Sequence, residues 1–188
     1  MKENRAKQLL EEAIEELKKG SIIASQKILE DLYENFDRYI NQKPINYNIT
    51  LDNLILLTLG IYYYYDEEMT PKQKFYVTSF ILYDVLSSKN LKVQNPYFSY
   101  RKTKMYFIFS ERLENRITTL AYNGFLMVRE RYIVLLEKGR TEGLNIIRSL
   151  DQNTVGELAK IVKEINSLKS RKALENYVRQ YLANLINV

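Results

Sequence analysis

Apolar positions recur every three to four residues at the start of the chain: Leu9, Leu10, Ala13, Ile14 and Leu17 mark an amphipathic helix over 3–19. Gly20 fits the position just past its end, where left-handed backbone is favoured. Ser21 suits the cap of a second helix, with Ile28, Leu29, Leu32, Phe36, Tyr39 and Ile40 on its buried side. The two are expected to close as a helical hairpin. The polar stretch NQKPINYN, residues 41–48, contains Pro44 and reads as a boundary. It divides the chain into an N-terminal hairpin (1–43), a core (48–150) and a C-terminal helical region (151–188).

Thr50 can cap a helix over 51–65 that is apolar nearly all round and so belongs in the core. Thr70-Pro71-Lys72-Gln73 has the form of a helix start: Thr70 as cap, Pro71 at the first turn, Gln73 closing a capping box, with the helix running to about 88. The helical period then breaks in LKVQNPYFSYRKTKMYFIF, whose end, 105–109, is β-prone. Ser110 caps the next helix, 111–122, with Leu113, Ile117 and Leu120 inward and Asn123-Gly124 ending it. Two apolar runs, 125–128 and 132–136, flank the tip Arg129-Glu130-Arg131 and should pair as a hairpin.

A helix over 139–150 follows, with Leu144, Ile147 and Leu150 buried. Thr154-x-x-Glu157 reads as a capping box before Leu158, Ile161, Val162, Ile165 and Leu168. After a break near Ser170 the spacing resumes through Leu174, Tyr177, Val178, Tyr181, Leu182 and Leu185.

Charge changes the picture in the middle of the chain. The net charge is only +5, but residues 96–140 hold 9 basic and 4 acidic side chains, so the excess is local. With no Cys and no His, the chain lacks thiolate chemistry, the commonest general base and the commonest metal ligand. Asp66, Glu67 and Glu68 are consecutive and fan out, so no metal site is expected. No Gly-rich phosphate loop, nucleophile elbow or interpretable acid–base pair is present, and neither catalysis nor a cofactor is expected. The longest nearly uncharged apolar run, 54–65, is too short for a bilayer span of about 20 residues, and the charged start lacks a signal core. A cytoplasmic protein with no membrane partner is expected. Abundant Tyr, Ile, Asn and Lys without Cys fit a thermophile with AT-rich coding, such as an archaeon or its virus.

Residues 123–140 carry a more specific signal. Asn123-Gly124-Phe125-Leu126, the tip Arg129-Glu130-Arg131, and Tyr132 through Gly139-Arg140 follow a known order: helix end, apolar pair, charged tip, "Y-x-L-T-x-x-G-R". This resembles the winged helix-turn-helix family, closely over about thirty residues and loosely over 50–150. Two features depart from it. The family's helix-capping Thr is Leu136 here, so either Thr141 starts the next helix late or the hairpin has another purpose. The strand candidate 105–109 follows the second helix, where most winged helices place a strand before it.

The resemblance implies a mainly α fold: a winged-helix core with a short β-hairpin wing, an N-terminal helical hairpin and C-terminal amphipathic helices. It implies double-stranded DNA as partner and a role in transcription regulation or DNA organisation. On 111–122, Arg112 and Arg116 share a face that Thr119 extends, so these are the readout candidates. Arg129 and Arg131 are the wing candidates, with Arg101, Lys102, Lys104, Lys138 and Arg140 as flanking phosphate contacts. A homodimer is expected through the N-terminal helical hairpin and the C-terminal helices, with Tyr177, Val178, Tyr181 and Leu185 as the named interface residues. Tyr97, Phe98, Tyr100 and Tyr106, interleaved with cations, also fit single-strand stacking, though a half-buried strand explains them better. The alternative function is a winged-helix scaffold for protein contact, antitoxin-like or a complex-assembly subunit.

Overall fold

The computed structural model describes residues 3–65, 67–101 and 104–186, so Asp66 and Lys102 lie outside the described residues. The chain is mainly helical and carries a small antiparallel sheet. Helices α1 (Arg5–Lys18) and α2 (Ile22–Glu34) fold back on each other through Gly20, whose φ of 77° needs no Cβ, and the short α3 (Phe36–Ile40) follows. Ala6, Leu9, Ala13, Ile28 and Leu32 form a small core of their own between them. Leu10, Ile14, Leu17, Leu29, Phe36 and Ile40 stay exposed, so each of these helices has a second apolar stripe that the hairpin does not bury.

The main core is built around α4 (Leu51–Tyr64), capped by Thr50 as its sequence predicts. Leu54, Ile55 and Leu57 are fully buried there, each contributing roughly 1.5–3 kcal/mol relative to exposure. A buried hydroxyl chain ties α4 to α5 (Lys72–Ser88): Ser79 donates to Thr58, and Tyr62 pairs with Thr78 at 2.8 Å. Strand β1 (Met69–Pro71) lies before α5 and pairs with β5 (Tyr132–Leu135), which pairs in turn with β4 (Leu126–Val128). The sheet order is β1-β5-β4.

A short second ribbon joins β2 (Ser99–Tyr100) to β3 (Ile108–Phe109). Helix α6 (Glu111–Tyr122), capped by Ser110, precedes the β4–β5 hairpin, and α7 (Glu137–Ser149) follows it. Helix α7 crosses α4 closely: a Cβ on Gly143 would lie 2.8 Å from the Leu56 carbonyl oxygen. Helices α8 (Gln152–Ser167) and α9 (Arg171–Ile186) add Leu158, Val162, Ile165, Leu174 and Val178 to this same core.

Several local expectations are corrected. Thr70 lies in β1 rather than capping α5, so a strand does precede the second core helix. Helix α7 starts at Glu137 directly after Leu136, not late at Thr141. Asp151, not Thr154, caps α8, accepting from the Thr154 N–H at 2.9 Å. Ile146 takes the most buried place on α7, with Leu144, Ile147 and Leu150 half-buried. The C-terminal interface is also revised. Val178 is buried inside its own chain, and Tyr177 and Tyr181 donate to Glu164 and Asp84 of the same chain. Of the four residues only Leu185 is openly exposed. No described helix is long and apolar enough to cross a membrane.

Candidate functional site

Helix α6 carries the residues expected to read bases. Its predicted readout face is covered. Arg112 is 2% exposed and is held by two carboxylates of α1, donating from Nε to Glu16 at 3.0 Å and from Nη2 to Glu12 at 2.9 Å. Its Nη1 donates to the Asn95 carbonyl at 2.7 Å. Arg116 forms a two-point pair with Asp52 of α4, with Nε to Oδ1 at 2.6 Å. Hydrogen bonding to Asp52 raises the Arg116 pKa further above its ordinary value, against the opposing pull of burial. The Thr119 hydroxyl donates back to the Asn115 carbonyl. Arg112 therefore cannot reach a groove in this conformation, and Arg116 is already engaged.

The pairing has a plain origin. Glu12 and Glu16 stand four apart on α1, as Arg112 and Arg116 do on α6, so carboxylates on one helix face meet a guanidinium on another. Tyr47 and Arg5 complete the cluster. The Tyr47 hydroxyl donates to Glu12 at 2.7 Å and accepts from Arg5 at 2.7 Å, and its pKa is raised, chiefly by burial.

The rest of the seam is polar too. Glu111 accepts from the backbone N–H of Ala24, capping α2 from a different helix, while Ser21 pairs with Asn115 instead. Lys27 donates to the carbonyls of Tyr97 and Phe98, and Tyr97 donates to Asp31 at 2.9 Å. Tyr97 adopts φ 51°, left-handed for a residue with a bulky side chain, and Arg112 lies 5.7 Å from its ring centroid. The α1–α2 hairpin is thus a unit with its own apolar core, docked on α6 and the 95–98 segment mainly by charge and hydrogen bonds.

The other predicted cations are dispersed. Arg129 and Arg131 stand exposed on the β4–β5 tip, with no ion pair among the described residues. Arg101 lies 4.0 Å over the Phe109 ring, and Lys138 4.0 Å over Phe125. Arg140 covers Tyr63 at 4.6 Å and donates to the Leu135 carbonyl. Lys104 is exposed. Of the interleaved aromatics, Phe98 packs against Phe80 and Tyr106 against Tyr76, while Tyr100 stays exposed. Among the described residues, no group of three or more carboxylates could hold a metal ion.

Sequence reasoning named the hairpin as an assembly element but put Leu29, Phe36 and Ile40 on its buried side, and so did not locate its open face. Leu17 and Ile22, Leu29 and Tyr33 line a groove of about 370 Å³ between α1 and α2, with the buried Ser25 at its floor. The signal was present as two apolar stripes on one short helix, Leu9–Ala13 and Leu10–Ile14–Leu17. Comparison with protein-family models, curated proteins and solved structures finds no match to this chain.

Proposed function

We propose that this chain is a protein-interaction module on a winged-helix-like core. The core reading is supported by element order. From α4 to α7 the order is helix, strand, helix, a short two-stranded ribbon, helix, two-stranded hairpin and helix, with the early strand pairing at the sheet edge and the β2–β3 ribbon standing as an addition between the second and third helices. The observation that carries the functional reading is the burial of Arg112 against Glu12 and Glu16. A base-reading helix needs free donors along its outer face. Here Arg112 instead anchors an N-terminal hairpin, and Arg116 is paired with Asp52 of α4; the outer side of that hairpin is an open apolar face, the kind of surface that marks contact with another protein.

A second reading is favoured by Arg129 and Arg131. Two exposed guanidiniums at a hairpin tip, with no ion pair among the described residues, suit phosphate contact without base information. Mobility shifts on genomic fragments at several salt concentrations test both. The module reading predicts weak, sequence-independent, salt-sensitive binding at most. Tight binding to one fragment that survives raised salt would overturn it.

A further inference from the structure

We infer that the open face of the α1–α2 hairpin is occupied by the same face of a second copy of this chain. Two hairpins then close into an antiparallel four-helix bundle. The inference rests on the interaction-module reading and names the partner of that surface.

Shape comes first. Leu17 shares the groove with Ile22, Leu29 and Tyr33, and Ile14 and Leu10 lie one and two turns before it on the same side of α1. Ile22 is 67% and Tyr33 87% exposed, so the two ends of α2 project apolar knobs, while Ser25 leaves a hole between them. On the order of 600 Å² stands open across these six side chains, at the upper limit for the largest patch on a monomer. A standard interface needs about 800 Å² per partner, a total that the flanking polar residues complete.

Charge selects the partner and its direction. At the turn end of the hairpin the outward charges are Lys18 and Lys19 with Glu15, net +1. At the open end they are Glu11, Glu30 and Glu34 with Lys7, net −2. A two-fold axis perpendicular to the helices sets each turn end on the partner's open end, so opposite charges meet twice. The same operation carries the Ile22 knob toward the partner's Tyr33 end. A parallel axis would instead place lysines on lysines.

Light scattering on the full-length chain across a concentration series tests this, with circular dichroism confirming the fold of each variant. Wild type is expected at twice the chain mass. Ile14→Glu with Leu29→Glu should give a folded monomer, because both side chains are exposed in the single chain. Lys18→Glu and Glu11→Lys, which this axis sets opposite each other on the two copies of α1, should each raise the dissociation constant a few-fold, and the two combined in one chain should restore it. A wild type that stays monomeric throughout would overturn the inference, as would a dimer untouched by the Ile14/Leu29 variant. A monomer leaves the module reading standing with a different partner, whereas sequence-specific DNA binding removes that reading whatever the mass.

Discussion

Arg112 Nε donates to Glu16 Oε1 across 3.0 Å, joining α6 to α1 between two side chains that are each under 5% exposed. Breaking a buried pair by removing one partner leaves the other charge desolvated, a loss of about 3–5 kcal/mol. Arg112→Met is therefore expected to lower unfolding stability in urea by about that amount. Replacing Glu12 and Glu16 by apolar residues in the same chain should recover most of the loss. Hydrogen exchange should locate the single variant's effect in α1 and α2, the elements that Arg112 anchors.

High pH should unfold the protein through its tyrosines. Burial raises the pKa of Tyr62, and burial with Glu114 raises that of Tyr76, above the ordinary 10.0. A raised phenol pKa means that the folded state holds its proton after the unfolded state has lost it. That stability is full below pH 10.0 and falls as pH climbs above it. Thermal melts should show a steady drop in Tm above that pH. Ultraviolet titration should show these phenolates appearing together with unfolding. Smooth ionisation of every tyrosine in a still-folded protein would contradict the burial.

Two glycines should respond in opposite directions. A Cβ at Gly139 would sit 2.0 Å from the Phe125 carbonyl oxygen, so Gly139→Ala should destabilise by about 1–3 kcal/mol or more as α7 is pushed off the hairpin. Gly156 lies inside α8 with nothing within 4 Å of its would-be Cβ. Gly156→Ala should therefore stabilise by roughly 0.5–1 kcal/mol. Urea midpoints of both variants check the contrast.

Local pattern located most elements and missed what crosses between them. The 111–122 helix, its Ser110 cap and the hairpin around Arg129–Arg131 follow from spacing and turn residues, and the structure contains all three. Strand β1 was hidden because Thr70-Pro71-Lys72-Gln73 satisfies the rules for a helix start. Yet the Thr70 backbone pairs with Ile133, and the Lys72 N–H goes to the Arg131 carbonyl. The readout face failed for a different reason. Spacing shows that Arg112 and Arg116 share a side, but not what lies over it. Glu16 and Glu12 are 96 and 100 residues away in sequence, and Asp52 is 64. No local pattern encodes contacts at that range; the matching four-residue spacing of acids on α1 is the one trace they leave.

The hairpin tip should behave as a phosphate grip. Arg129→Ala with Arg131→Ala is expected to weaken any DNA binding about equally for unrelated duplexes. Each lost contact should flatten the slope of log affinity against log salt by about 0.9. Anisotropy titrations at several salt concentrations read both quantities. Unchanged affinity and slope would make the tip an ordinary solvated turn.

The central claim is that the basic face of α6 is engaged within the chain and does not read bases. The most direct measurement is selection from a randomised duplex library with wild type and with Arg116→Ala, followed by sequencing of the bound fraction. The account predicts no enriched motif with either protein, and equal affinity for the starting library. An enriched motif with wild type that relaxes at particular base pairs in Arg116→Ala would contradict it. That outcome would require α6 to shed Asp52 and enter the major groove.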